Sequence, residues 1–469
     1  MPLLRCVACS ELLESEALEP RCPRCRSALL LEGPRVEISR AEIERLPPGV
    51  WRYGAFLPEL AAGWTVSLGE GGTPLLKAER LGRELGLDHV LLKDETRNPT
   101  GSFIDRGSTV LVSLAGQKGV KAISCTTTGN LGASLAAYCA KAGIEAEVRI
   151  QLHADRGKLY QMIAYGARVE AKSMTEVEYD RRTLQVTAGN PYILEGEKTT
   201  GFEIIQDLGW QTPDVLVVPV GTGGHISMIW RAIKQLKECG LVANSACRLA
   251  GVQVRGSAPT PWRRGGSEEA AKVPFTELEE SEPIFRSAAD EAIRESGGSG
   301  IETTAREIIR ATGLLAKTEG IFAEPASASV IAALESARSH GLIDRDETVV
   351  CVVTGAGLKD TRAVARIARA SKHVAVKEDI FTPVQVGRTK LHLMDLILAK
   401  PRFGYELWQS LKQERAMTTA SVYQHLAELE GLALVRRSGI RTVNGRERVF
   451  YELTKKGSDF LRLAGRIGA

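Results

Sequence analysis

Three short stretches of this chain combine residue types that chemistry can use. Gly221-Thr222-Gly223-Gly224-His225 follows an apolar run and precedes a helical pattern. A glycine loop between a strand and a helix leaves backbone N–H groups free at a helix start, and these, with the helix dipole, favour a dianion. Alone the signal is weak, since dinucleotide sites use similar loops. Thr126-Thr127-Thr128-Gly129-Asn130 offers hydroxyls and amides, the groups a carboxylate needs. A Thr-rich turn by itself reads first as ordinary capping. Cys6-Val7-Ala8-Cys9 is followed after twelve residues by Cys22-Pro23-Arg24-Cys25. Two CxxC knuckles can each wrap two thiolates around one side of a tetrahedral ion, and four soft ligands favour structural over catalytic zinc. The paired spacing argues against four unrelated cysteines, and a redox dithiol needs only one pair.

The elements around these stretches alternate. Lys121 to Ser124 reads as a short strand and Gly132 to Ala142 as a helix; Val215 to Val220 reads as a strand and Ile226 to Leu236 as a helix. Val349 to Val353 repeats the strand before Thr354-Gly355-Ala356-Gly357. Strand, glycine turn and helix in succession predict parallel α/β units with ligand loops at the carboxyl ends of the strands.

Set in that frame, Asn98-Pro99-Thr100-Gly101-Ser102-Phe103-Ile104-Asp105-Arg106-Gly107 resembles the NPTGSFKDRG segment of threonine synthases. The resemblance extends along most of residues 50 to 370. It includes Ser67-Leu68-Gly69-Glu70-Gly71-Gly72-Thr73-Pro74-Leu75, Glu195-Gly196-Glu197-Lys198-Thr199, Glu324-Pro325-Ala326-Ser327-Ala328 and Thr354-Gly355-Ala356-Gly357-Leu358-Lys359-Asp360. It implies a pyridoxal-phosphate fold of type II, two parallel-sheet α/β subdomains, with an N-terminal zinc ribbon on Cys6, Cys9, Cys22 and Cys25. By the same match Gly221, Thr222, Gly223, Gly224 and His225 grip the cofactor phosphate, with histidine where the family usually has asparagine. Asn130 meets the phenolic oxygen, and Thr354 the ring nitrogen. Thr127, Thr128 and Lys198 are the implied substrate contacts.

Ala356 stands where the family has a histidine, and a residue with a larger chemical role is missing as well. The lysine that holds pyridoxal phosphate as a Schiff base and shuttles protons is replaced by Ile104, which can do neither. A positioned base contributes on the order of 10²–10⁴ in rate per proton transfer. Lys93, Lys158, Lys198 and Lys359 match family positions that coexist with the missing lysine, so none is expected to replace it. Cofactor retention is therefore expected to be noncovalent.

The last part of the chain differs in charge. Residues 384 to 469 hold fifteen Lys plus Arg against eight Asp plus Glu, an excess of +7, which leaves the first 383 residues at −3 of the total +4. Residues 391 to 399, Tyr405 to Leu411 and Ala420 to Glu430 read as helices, the third capped by Thr418 or Thr419 and ended by Gly431. Asn444-Gly445 between two alternating runs signals a hairpin. Ser421-Val422-Tyr423-Gln424-His425-Leu426 and Tyr451-Glu452-Leu453-Thr454-Lys455-Lys456-Gly457 resemble PadR-type regulators with a winged helix-turn-helix. The resemblance implies a third helix in the major groove, reaching bases and phosphates from Thr418, Thr419, Ser421, Tyr423 and Gln424. Arg436, Arg437, Arg441, Arg446 and Arg448 would contact phosphates from the wing.

At 469 residues, with 43% apolar and 25% charged residues, the composition suits a globular protein of roughly three domains. The expected divisions are 1–35 for the zinc ribbon, 36–380 for the synthase-like body and 384–469 for the winged helix. The apolar runs are too short to span a bilayer. The N-terminus lacks a secretory pattern, so a cytoplasmic protein is expected, and a homodimer is expected because DNA readers of this kind usually act as dimers on palindromes. The two resemblances imply two alternative functions. One is a threonine synthase turning O-phosphohomoserine into threonine and phosphate. The other is a regulator binding double-stranded DNA, whose degenerate body, a pseudoenzyme, senses an amino acid, a phosphorylated amino acid or pyridoxal phosphate.

Overall fold

In a computed structural model the chain divides into two compact units, Met1–Val374 and Ala375–Ala469. The structure describes residues 1–33, 36–127, 129–150, 155–171, 183–243, 246–255, 284–360, 387–398, 400–412 and 418–463.

The first unit is built on two α/β sheets. One has six strands in the order Ser299–Thr303, Arg248–Val254, Val215–Pro219, Thr348–Val353, His89–Asp94 and Leu75–Lys77. All its pairs are parallel except the last, where Leu75–Lys77 runs antiparallel at the edge. The second sheet has four parallel strands, Arg168–Ala171, Glu145–Ile150, Ala122–Thr127 and Leu184–Val186. Strands such as Val215–Pro219 and Thr348–Val353 are buried on both faces, so they read as unbroken aliphatic runs. Helices follow the strands closely. Asn130–Ala142 comes after Ala122–Thr127, and Gly224–Glu238 after Val215–Pro219, which sets the loops between them at strand carboxyl ends.

The N-terminal residues form a small antiparallel sheet in the order Leu12–Glu14, Leu3–Cys6, Leu29–Leu31. Leu4, Cys6, Leu18, Cys22 and Leu29 share a hydrophobic cluster with Val110, Tyr192 and Ile193 of the body. Asn190 fastens the same junction by donating to Leu18 O at 2.6 Å. Of the five scattered cysteines, Cys125, Cys139, Cys247 and Cys351 are buried and Cys239 is partly covered.

A charged core holds the helix that begins just after Ile104. Arg106 is fully buried and grips Glu95 through Nε and Nη2, both at 2.7 Å, and Glu203 at 2.6 and 2.7 Å. Lys93 pairs with Glu203 and Asp207, each at 2.9 Å, and donates to Thr73 O at 2.7 Å. Burial alone would raise the Glu203 carboxyl, but Arg106 and Lys93 beside it hold it well below the usual range.

The second unit contains helices Arg388–Leu398, Gly404–Leu411, Thr419–Gly431 and Lys455–Leu463. Its sheet has the order Arg402–Phe403, Arg446–Leu453, Val435–Val443, all antiparallel. Val422, Leu426 and Leu429 line one face of the third helix and pack with Leu393, Ile397, Leu407 and Tyr451. Asn444 and Gly445 both take positive φ, 51° and 74°, the two-residue turn their sequence predicts. At the end of the third helix Gly431 remains helical, and the left-handed residue is Ala433 with φ 53°. The helix ends at Gly431 as expected, but the left-handed turn comes two residues later, just before the buried Leu434 and Val435.

Candidate functional site

The glycine loop lies where its composition requires. Gly223 precedes the helix Gly224–Glu238 with φ 86° and no side-chain cap, so the first N–H groups of a 15-residue helix have little competition. Gly224 N donates to Thr222 Oγ1 in a long bond of 3.4 Å. A Cβ on Gly223 would stand 2.8 Å from Phe285 O, so glycine is required there for space as well as for φ.

His225 points inward. Its ring stacks on Phe103 with centroids 4.1 Å apart, and Nε2 meets Thr200 Oγ1 at 3.1 Å. Burial lowers its pKa to about 3, so the imidazole is neutral near pH 7 and adds no positive charge to the loop.

Thr354 sits just past the strand Thr348–Val353, with Oγ1 2.8 Å from Ser327 Oγ. Its carbonyl accepts from Phe103 N at 3.0 Å, and Ala356 N donates to Gly101 O at 2.9 Å. These bonds bring the 101–104 segment and the 354–356 turn together. Ile104 is half-buried at the start of helix Asp105–Gln117 and packs against the core. Its neighbour Asp105 is buried and accepts from Thr100 N and Oγ1, both at 2.7 Å, and from Ser134 Oγ. Residue 104 is thus held in place by its neighbours' side chains.

Asn130 opens its helix and donates from Nδ2 to Glu324 Oε2 at 2.9 Å. Its buried Oδ1 has no partner among the described residues, and neither has Thr126 Oγ1. Thr127 Oγ1 accepts from Gly129 N at 3.0 Å, the capping role its composition suggested. Thr128 lies outside the described residues. Lys198 is fully buried, donates to Phe56 O at 2.9 Å and pairs with Glu195, which gives it a structural anchorage.

Sequence reasoning placed no site residue at Glu324, Lys158 or Lys359, yet the three cluster beside Asn130. Lys158 Nζ meets Glu324 Oε1 at 3.1 Å with both side chains buried. Lys359 is buried nearby and has its pKa lowered to about 8 by burial. The available signal was the acid directly before Pro325 at a helix start and the lysine two residues after Gly357.

The chemistry of a phosphorylated pyridine aldehyde can be tested against this donor set. An uncapped glycine helix start suits the phosphate, the Thr354 hydroxyl a ring nitrogen, and the unsatisfied Asn130 amide a phenolic oxygen. Position 104 offers no amine. These residues fit the group through three of its four needs.

The four cysteines of the N-terminal sheet form a compact cluster. Cys6 Sγ is 3.4 Å from Cys25 Sγ, Cys9 Sγ lies 3.6 Å from both Cys22 and Cys25, and all four atoms lie within 4.8 Å of one another. Thiolates around a tetrahedral ion with bonds of about 2.3 Å stand at similar separations.

In the second unit, Thr418 caps the third helix, accepting from Ser421 N at 3.2 Å, and Thr419 is its first residue. Tyr423 is 39% exposed, but its ring covers Gly404, where a Cβ would stand 2.5 Å from it. Gln424 reaches Glu428 at 3.3 Å. On the hairpin Arg436 pairs with Glu452 at 2.6 Å and Arg437 with Glu430 at 3.1 Å. Arg441 lies over Phe450 and Arg448 over Phe403 and Tyr405, while Arg446 is exposed at the turn.

Residues 66–355 match the model of the pyridoxal-phosphate dependent enzyme family, and residues 393–463 that of the transcriptional regulator PadR-like family. Threonine synthase of Methanocaldococcus jannaschii is 38% identical, covering 78% of this chain and 94% of its own. That of Methanosarcina acetivorans is 35% identical, with 82% and 99% covered. Among solved structures, a threonine deaminase from Solanum lycopersicum superposes with TM-score 0.53 at 16% identity, covering 76% of this chain and 99% of its own, a likeness of fold. Among the described residues no helix is long and apolar enough to cross a membrane.

Proposed function

The chain belongs to the pyridoxal-phosphate dependent enzyme family, with threonine synthases among its relatives and a PadR-like domain in its C-terminal part. On that premise we propose that it is a DNA-binding regulator whose synthase-like body binds a ligand without the family's usual catalysis. The observation that carries this reading is Ile104, an aliphatic side chain at a helix start, packed against the core where the resemblance calls for a lysine.

The backbone of Gly221 to Gly224 would hold the phosphate, Asn130 the phenolic oxygen and Thr354 the ring nitrogen of pyridoxal phosphate. Bound there, the cofactor supplies an electron sink for chemistry at an amino acid's α-carbon. Thr127 and Thr128 would orient the carboxylate of an amino acid or phosphorylated amino acid. His225, neutral and stacked on Phe103, shapes the loop without adding charge. Ile104 neither takes up nor returns a proton, so substrate could be bound and oriented but not processed in the family's manner. Four thiolates would hold a structural zinc that closes the N-terminal sheet.

The C-terminal unit is read as a winged helix. Helix Thr419–Gly431 would lie in the major groove, led by Thr418, Thr419, Ser421, Tyr423 and Gln424. Arg446 and the neighbouring hairpin arginines would meet phosphates. A homodimer on a palindromic site suits such a reader.

A second reading, threonine synthase activity itself, is supported by 35–38% identity over most of the body, and it needs an amine other than residue 104. Two assays on the purified full chain separate them. The regulator reading expects no phosphate release from O-phosphohomoserine, together with binding to duplex DNA from its own upstream region that weakens steeply with salt but keeps its sequence preference. Turnover by the unmodified chain, with no sequence preference on DNA, would reverse the choice.

A further inference from the structure

Lys359 ends the short turn Gly357–Lys359 that follows Thr354, and it is only 4% exposed. Its Nζ is buried and has no hydrogen-bond partner among the described residues. A buried ammonium without acceptors is unfavourable, so the group tends to lose its proton or to take a ligand. The charged groups that face it are the carboxylates of Glu324 and Asp105 and the ammonium of Lys158. Burial outweighs the two carboxylates and brings its pKa to about 8, so a useful fraction is free amine near neutral pH.

Its position is specific. The Lys359 stem runs beside the loop that carries Ile104, with Cδ 3.5 Å from where a Cβ on Gly101 would stand. Asp105, one of the two facing carboxylates, is the residue after Ile104. The other, Glu324, accepts from Asn130 Nδ2 at 2.9 Å. The amine therefore belongs to the same cluster as Asn130, the residue read as the contact of the phenolic oxygen. In pyridoxal phosphate that oxygen is on the ring carbon next to the one bearing the aldehyde. Lys158, the other buried amine here, is tied to Glu324 at 3.1 Å, and its stem lies against Gly129.

We propose that, contrary to the expectation from its family position, Lys359 supplies the amine that position 104 lacks, condensing with the aldehyde of pyridoxal phosphate bound by the body. The inference rests on the proposed binding of that cofactor by the body. The free Nζ attacks the aldehyde carbon, a C=N bond replaces C=O, and the oxygen leaves as one water. No oxidant or reductant is required. The tether thus moves from a helix start to the turn that carries the ring-nitrogen contact.

The test uses the full chain and pyridoxal 5′-phosphate. Equilibrium dialysis reads binding, and borohydride reduction followed by peptide mapping reads the bond. The expected result is one retained cofactor per chain with the pyridoxyl adduct on Lys359. The adduct disappears in Lys359→Arg and shifts to position 104 in Ile104→Lys. Labelling should rise about tenfold between pH 7 and 9 and then level off, whereas an ordinary lysine with a pKa near 10.4 keeps rising. Retained cofactor with no adduct, or with adduct spread over surface lysines or on Lys158, overturns this inference and leaves the binding reading intact. Absence of retained cofactor overturns both.

Discussion

Arginines chosen from the two units stand in opposite settings. Arg106 of the body is fully enclosed by Glu95 and Glu203, whereas Arg436 and Arg437 of the C-terminal hairpin keep 69% and 62% of their side chains exposed beside single acidic partners. Enclosure makes a charge structural, because removing one partner strands the other where water cannot reach it. Exposure leaves a charge available, since a surface pair contributes little and can be exchanged for a phosphate. Residue type alone therefore tells nothing about function until burial is known.

The strongest break in this comparison is expected at the cleft. Ile104→Lys should raise phosphate release from O-phosphohomoserine by on the order of 10²–10⁴ over the unmodified chain, since it restores a positioned base. An inert variant that still retains cofactor would mean that other departures, such as His225 and Ala356, also block the reaction. Next, Arg106→Ala should destabilise the body by about 3–5 kcal/mol in chemical denaturation, with Glu95 and Glu203 left facing each other. A loss below about 1 kcal/mol would mean that the enclosed network is no more valuable than a surface pair.

Glu197 sharpens the contrast through pH. Burial raises its pKa from 4.5 to about 8, so from about pH 5 to 8 the folded chain keeps a proton that the unfolded chain releases. Stability must then fall as pH rises, by at most about 1.4 kcal/mol per pH unit from this group, with the loss complete above pH 8. Glu197→Gln should remove that slope, and melting temperatures at pH 5 and pH 8 will read it. The smallest effect belongs to the hairpin. Arg446→Ala should leave folding stability within about 0.5 kcal/mol and lower the salt dependence of DNA binding by about one phosphate contact. An unchanged salt slope would remove Arg446 from the interface.

Local signals were the most legible in the sequence. The Asn444-Gly445 turn, the Thr418 cap and the glycine helix start at Gly224 each depend on a few adjacent residues, and the structure holds them as read. Long-range order was not legible. Thr348–Val353 lies between Val215–Pro219 and His89–Asp94, and no local pattern encodes such a pairing. The inward turn of His225 onto Phe103 depends on a partner over a hundred residues away. Glu324 and Lys359 were visible as motif residues, but their meeting beside Asn130 depends on the tertiary fold.

The bonds made by Asp105 have a practical consequence. Because Thr100 and Ser134 anchor the carboxylate of Asp105, the start of this helix is fixed by bonds that do not involve the side chain at position 104. That position behaves as a socket, in which lysine and isoleucine are alternative fittings. Evolution could exchange one for the other in a single lineage without a folding crisis, and a chemist could install a reporter or a reactive group at the same point.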